Sequence, residues 1–171
     1  MGGNVGFSIG QAKKSDLETL TAVEAICFPK EEAASREAFA ARLEAFGNWF
    51  FVAKDEKGRI IGMIDGMATD EETIDDAMFE NASLHNEHGA VQTVFGLDVL
   101  PEWRKKGVAG ALMAAFVDAA RRAGRKKVTL TCKEQLIGMY EHFGFVLIGK
   151  ARSVHGGAVW FDMDLLLKEE K

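Results

Sequence analysis

The 171-residue sequence predicts an α/β (α+β) domain in which a mixed central sheet of about seven strands is flanked by four helices. Three observations carry that expectation. Short runs rich in β-branched and aromatic residues alternate along the whole chain with segments of helical apolar period. From Val94 to Leu112 (VFGLDVLPEWRKKGVAGAL) an apolar run stops at Pro101, a cationic glycine loop follows, and a helical pattern begins at Ala109. From Val128 (VTLTCKEQLIGMYEHFGFVLIG) a strand, a short helix and another strand succeed one another.

Taken in order, an opening strand at about Gly6–Ile9 leads to a helix over Leu17–Cys27, with Ser15 as its cap and Glu18 three residues on. Phe28-Pro29 ends that helix, because a residue before proline is pushed out of the helical region. A second helix runs from Ser35, again a capping residue, to Phe46. Trp49–Lys54 and Arg59–Ala68 read as a hairpin around the polar turn Asp55-Glu56-Lys57-Gly58. Residues 70–87 form an acidic loop or short helix, and Val91–Val99 is the fourth strand. A helix over about Gly107–Ala123 stops at Gly124, and the strand Val128–Cys132 follows. The helix at about Glu134–His142 turns through Phe143-Gly144-Phe145 into a sixth strand, and Ala158–Leu166 closes the chain after the turn Gly156-Gly157.

Composition sets the class. A chain of this length is expected to be one domain, residues 1–171, with enough apolar residues (47%, including 12 Phe) to bury a core. No run approaches the roughly 18 apolar residues that span a bilayer, so no membrane partner is expected. The N-terminus lacks a cationic start followed by an apolar core, and Gly6 stands where a myristoylation signal wants Ser or Thr, so a cytoplasmic protein is expected. The two cysteines, Cys27 and Cys132, lack metal-site spacing, and the four histidines include no H-E-x-x-H pair, so no metal is expected. The net charge of −5 and the absence of a Lys/Arg stripe interleaved with aromatics argue against nucleic acid.

The loop from Arg104 to Gly110 carries the first chemical signal. It has neither the Gly-Lys-Ser/Thr of a Walker loop nor the spacing G-x-G-x-x-G of a dinucleotide turn. It reads Arg104-x-x-Gly107-x-Ala109 between a strand and a helix, where unpaired backbone N–H groups and the positive end of the helix dipole receive an anion. In this it resembles the pyrophosphate loop of the GNAT N-acetyltransferase superfamily. Tyr140-Glu141-His142-Phe143-Gly144-Phe145 resembles the tyrosine helix and aromatic-Gly-Phe turn of the same superfamily, and the element order β-αα-β-β-β-α-β-α-β-β is that of the GNAT fold over essentially the whole chain. Within it the resemblance is nearest to arylalkylamine (serotonin) N-acetyltransferases and their bacterial relatives, through Phe28-Pro29, the acidic segment, Leu130-Thr131-Cys132-Lys133 and Tyr140–Phe145.

The resemblance implies acetyl-coenzyme A as acyl donor, with Arg104, Lys105, Lys106, Gly107, Val108, Ala109 and Gly110 around its phosphates. It implies that Leu97, Asp98 and Val99 offer backbone groups to pantetheine and that the Leu97 N–H polarises the acetyl oxygen. Tyr140, the only tyrosine, becomes the general acid for the departing thiolate. One departure matters: where the animal enzymes of this branch place two histidines on the fourth strand, this chain has Thr93 and Phe95, and neither accepts a proton. His155 is the candidate base; His85, His88, and water relayed to Glu87 or Asp98 are the alternatives. Phe28 and Pro29, with Trp49 and Met63, are candidates for the amine pocket.

The function expected is direct acetyl transfer to the primary amine of a small molecule such as an arylalkylamine or polyamine. A peptide or protein amine, or an acyl-coenzyme A binding module without turnover, are the alternatives. A monomer or a homodimer paired through a sheet edge is expected.

Overall fold

The computed structural model describes residues 6–167, so the readings at Met1-Gly2 and at the two ends of the expected domain lie outside it. Nine strands form among the described residues: β1 (Phe7–Gln11), β2 (Phe50–Asp55), β3 (Ile60–Asp65), β4 (Ala68–Thr69), β5 (Val91–Val94), β6 (Gly96–Val99), β7 (Lys127–Cys132), β8 (Val146–Lys150) and β9 (Phe161–Leu166). The α-helices are α1 (Leu17–Cys27), α2 (Arg36–Phe46), α3 (Asp76–Glu80), α4 (Val108–Arg122) and α5 (Ile137–His142). None is long and apolar enough to cross a membrane.

The strands divide into two sheets, ordered β1-β2-β3-β6 and β4-β5-β7-β9-β8. The first is antiparallel throughout; in the second, β5 runs parallel to β7 and the other pairs are antiparallel. The expected fold, with its mixed sheet of about seven strands, is present, and two of the expected strands are each broken in two. The run Arg59–Ala68 breaks after Asp65, and the run Val91–Val99 breaks at Phe95. The first break has a steric cause: a Cβ on Gly66 would lie 1.9 Å from the Thr93 carbonyl oxygen, so only glycine lets the two backbones cross there. Thr93 locks the crossing, its N–H donating to Met67 O (2.9 Å) and its hydroxyl bonding the Met67 backbone.

Helix α4 covers one face of the first sheet, packing on β2, β3 and β6 with Val108, Leu112, Met113, Phe116, Val117 and Ala120, a stripe at helical period. Helices α1 and α2 cover the opposite face, where Phe39 meets Phe50 edge-on. Ser35 caps α2 as expected, accepting from Ala38 N at 3.1 Å. The cap of α1 differs: a 3₁₀ turn over Lys14–Asp16 precedes the helix and takes in Ser15, and Asp16 closes that turn by accepting from Lys13 N at 2.8 Å. Phe28, extended before Pro29, ends α1. Edge strand β8 leaves Val146, Leu147 and Ile148 exposed.

Candidate active site

The break at Phe95 creates the site. Upstream of it β5 continues the second sheet beside β7; downstream, β6 joins β3 in the first sheet. No ladder connects β6 to β7, so the two sheets part and a cavity of about 1290 Å³ occupies the opening. Its walls come from α1 and α2, from β6 and β7, from the start of α4, and from α5.

At one end of the cavity lies the loop before α4. Gly107 occupies the position ahead of the helix with φ +87°, a conformation glycine adopts without strain. The first helical bond at this end is Ala111 N to Gly107 O, which leaves the N–H groups of Val108, Ala109 and Gly110 unpaired at the cavity wall. Lys105, at φ +63°, and Arg104 also line the cavity. Arg104 turns its Nε to the Val99 carbonyl at 3.0 Å, which anchors the loop to the end of β6. Lys106 departs from expectation: it does not line the cavity, and its Nζ sits 5.6 Å from the Trp103 ring centre, held there by cation–π attraction.

The three expected backbone positions on β6 separate. Leu100 N donates to Ile61 O, and the two-residue alternation of an antiparallel pair turns the backbone groups of Asp98 toward Met63 on β3. Leu97 and Val99 face the opening and line the cavity. The Val99 carbonyl is already taken, by Arg104 and by the Cys27 thiol at 3.4 Å. Leu97 alone of the three keeps the expected disposition; Asp98 is engaged with β3, and its side chain lies on the α1 face of the sheet.

Tyr140 lines the cavity from α5 while remaining 6% exposed, its ring edge-on to Phe143 and Phe145. Gly144, at φ +101°, makes the turn between those phenylalanines. Burial raises the Tyr140 phenol well above its ordinary range, with the Cys132 and Asp98 charges adding to the effect, so it is a proton donor at neutral pH and not a base. Cys132 on the adjacent strand is buried, and burial pushes its thiol up to about 11. A thiol so held is protonated and a poor nucleophile.

His155 reaches the cavity from the loop before β9. Its Nε2 meets the Glu32 carbonyl at 3.0 Å, an oxygen that only accepts, so this nitrogen carries the hydrogen and only Nδ1 is left for a substrate proton. Its ring stacks on Phe79 at 4.8 Å, and its own carbonyl accepts from Trp160 Nε1 at 2.8 Å. Lys133 pairs with Glu32 at 2.5 Å, so the loop after α1 is tied to the end of β7 by this pair and to the loop before β9 by His155.

Other expectations are corrected. Phe28 lines the cavity but Pro29 does not; its carbonyl accepts from Glu32 N and Ala33 N in the turn that follows. Trp49 and Met63 belong to the buried core. His85 lies apart from the cavity, accepting from Ala68 N through Nδ1 and meeting Glu87 through Nε2. His88 is likewise absent from the walls, and Glu87 serves a separate network around Arg125.

Two residues that the sequence reading missed, Glu24 and Asp65, lie on the α1 face with Asp98, which it named only for its backbone and as a water-relayed base. Glu24, 7% exposed, lines the cavity from α1; Asp65 on β3 and Asp98 on β6 lie behind it at 1% exposure each. Arg42 from α2 meets Asp65 at 3.4 Å and donates to Phe79 O at 3.1 Å. Burial raises the Asp65 carboxyl to about 7 against the opposing pull of Arg42. Burial, then the neighbouring Glu24, raises Asp98 well above the ordinary carboxyl range. A signal for these residues was present: Glu24 shares a helical face with Leu20 and Val23, and each aspartate interrupts an apolar strand.

Known proteins agree with this architecture. The chain is 24% identical over 121 residues to serotonin N-acetyltransferase from Mesocricetus auratus, a match covering 70% of this chain and 55% of that relative's length. Its fold superimposes on the loading GNATL domain of CurA from Lyngbya majuscula with a TM-score of 0.80 at 15% identity, covering 94% of this chain and 97% of that one. It superimposes on the GphF GNAT-like decarboxylase, solved with isobutyryl-CoA, with a TM-score of 0.76 at 24% identity, covering 94% and 100%. The family model described as an acetyltransferase (GNAT) domain matches residues 16–167. With the parted sheets, the unpaired amides before α4 and the buried tyrosine on α5, that match establishes that the chain belongs to the GNAT acetyltransferase domain family.

Proposed function

We propose that the protein is a single-domain, acetyl-coenzyme A-dependent N-acetyltransferase that moves the acetyl group directly to the primary amine of a small molecule. The observation that carries this reading is one continuous cavity joining the free amides at the start of α4 to Leu97 and Tyr140 at the parting of the sheets. Those amides, with Lys105 and the guanidinium of Arg104, suit a pyrophosphate, and pantetheine would then run along the unpaired side of β6. The Leu97 N–H would polarise the thioester oxygen, and Tyr140 would deliver a proton to the departing sulfur.

Direct transfer is supported by Cys132, whose buried, protonated thiol is unsuited to carry an acyl group. A small acceptor is supported by the tie of His155 to Glu32, which joins two cavity-lining loops where a peptide would need an open groove. Phe28, Phe79, Phe95 and Trp160 line the cavity and favour an acceptor that carries an aryl group, since aromatic walls bury an aryl ring.

The test is thiol release from acetyl-coenzyme A across arylalkylamines, polyamines, amino acids and short peptides, beside calorimetric binding of acetyl-coenzyme A alone. Turnover with arylalkylamines is expected. Tyr140→Phe is expected to lower kcat by about 10²- to 10⁴-fold with little change in acetyl-coenzyme A affinity. Tight binding without turnover on any amine would replace this reading with a non-catalytic acyl-coenzyme A module, and turnover confined to peptides would move the acceptor to a protein.

A further inference from the structure

The amine of such a reaction arrives as an ammonium ion, and the acceptor side of the cavity contains an unbalanced negative charge. A Cβ placed on Gly96 would lie 3.1 Å from Asp98 Oδ1, 3.6 Å from Glu24 Oε1 and 3.7 Å from Asp65 Oδ1. Carboxylate oxygens from α1, β3 and β6 thus converge on one point at the cavity wall. Register explains the convergence: Asp65 pairs with Gly96 and Met63 with Asp98, so both aspartates project from the same face of the sheet, beneath Glu24.

Among the described residues one cation, Arg42, faces the three carboxylates. Both Asp98 oxygens are buried and meet no donor. Glu24 Oε2 accepts from Ala34 N at 2.9 Å, which orients the carboxylate and leaves Oε1 turned to Asp98 and to Gly96. Arg42 is the one cation in contact, and it serves Asp65, the Phe79 carbonyl and the Phe95 ring face. The described residues contain no triad of His, Cys, Asp or Glu arranged to hold a metal ion. Burial, with Glu24 beside it and no donor on either oxygen, holds the proton on Asp98.

We propose that Glu24 is the base that takes the proton from the acceptor's ammonium group, with Asp98 and Asp65 as positioning residues behind it and Gly96 keeping open the space in which the nitrogen docks. This inference rests on the amine-acylation reading. The ammonium N–H transfers its proton to Glu24; the freed lone pair forms the C–N bond at the thioester carbonyl; the C–S bond then breaks. The thiolate takes the Tyr140 proton, and Tyr140 recovers one from the nitrogen of the collapsing adduct. The proton on Glu24 leaves through the cavity to solvent. The sum is ammonium plus thioester giving amide, thiol and one proton. The same pocket selects its substrate, because an ammonium ion completes a site that is one positive charge short, whereas an alcohol would leave Asp98 and Glu24 uncompensated.

The groups that set the titration come from every surrounding element: Glu24 and Cys27 on α1, Arg42 on α2, Asp65 on β3, Asp98 on β6, Arg104 beyond β6, and Tyr140 on α5. The experiment compares the full-length wild type, Glu24→Gln and Asp98→Asn for the pH profile of kcat/KM, with an arylalkylamine and with an O-arylalkyl hydroxylamine that is already uncharged at neutral pH. Glu24→Gln is expected to lower kcat/KM for the amine by about 10²- to 10⁴-fold and to erase the acid limb of the profile, while the hydroxylamine changes by no more than about tenfold. Asp98→Asn, which puts a weaker amide N–H donor beside Glu24 in place of a carboxyl O–H, is expected to move the acid limb to higher pH. Unchanged acetyl-coenzyme A affinity by calorimetry shows that each variant is folded. Equal losses for both nucleophiles, or a profile unmoved in both variants while the wild type turns over, overturn the inference alone. A wild type that acylates no amine overturns the parent reading, and this inference with it.

Discussion

Two buried charged sites in this molecule are built from the same kinds of residue and reach opposite states. Around Arg125, just beyond α4, each guanidinium nitrogen has an acceptor: Nε meets Gln92 Oε1, Nη1 the carbonyls of Glu87 and Gly89, and Nη2 the Glu87 carboxylate. The plane of Arg125 also lies 5.1 Å from the Trp49 ring centre. Around Gly96, three carboxylates face one guanidinium, and both Asp98 oxygens lack a donor. The difference separates a structural charge from a functional one. A buried charge whose every hydrogen-bonding group is met holds its loops together and has nothing left for a ligand; one left short lowers stability and marks where an outside charge is accommodated.

The sharpest way to break this comparison is to remove the satisfied charge. Arg125→Met would leave the Gln92 oxygen and two carbonyls without this donor, while the half-exposed Glu87 carboxylate keeps Trp49 Nε1, and we expect a loss of about 2–3 kcal/mol in urea denaturation. A loss below about 1 kcal/mol would place Arg125 among surface pairs and remove the contrast.

The unsatisfied site should respond in the opposite sense and with pH. Asp65 and Asp98 keep protons in the folded state that the unfolded chain releases above a carboxyl pKa of about 3.9. The folded protein then binds the more protons, so stability falls as pH rises from about 4, through about 7 for Asp65 and beyond for Asp98. Asp98→Asn should match the wild type near pH 4 and exceed it by an amount that grows by up to about 1.4 kcal/mol per pH unit toward neutrality. Parallel stability curves for the two proteins would contradict a neutral Asp98 in the fold.

Two smaller effects sharpen the picture. Gly96→Ala puts a methyl group 3.1 Å from Asp98 Oδ1, in the space assigned to the acceptor nitrogen. We expect kcat/KM for the amine to fall about tenfold, or ~1.4 kcal/mol, with acetyl-coenzyme A affinity unchanged in calorimetry. Asn48 touches the Arg125 network only through a 3.5 Å bond to Glu87 Oε1, so Asn48→Ala should shift the urea midpoint by no more than about 0.5 kcal/mol equivalent.

The same contrast explains what the chain made legible. Local chemistry could be read directly: Phe28-Pro29 ends α1, Ser35 caps α2, Gly107 opens α4 and Gly144 turns α5 into β8, because each effect acts within a few residues. The glycine loop before α4 and Tyr140 at the cavity wall were legible for the same reason, each lying within one short stretch of sequence. The sequence alone also set the strand and helix order that identifies the fold class, since apolar period is a property of each segment by itself.

What only the tertiary structure decided was partnership across the chain. Whether Val91–Val99 stays one strand depends on Gly66 crossing Thr93, a contact that no local pattern encodes. Whether Lys106, Pro29, His85 and Glu87 reach the cavity depended on which neighbours took their polar groups or faces first, and His155 has one ring nitrogen committed to Glu32. Glu24, Asp65 and Asp98 stand far apart in sequence, and each alone is an acidic residue in an apolar run. Their chemistry arises when α1, β3 and β6 bring three carboxylates to one point and exclude water from them, because desolvation and mutual repulsion are properties of the assembled site and of none of its residues separately.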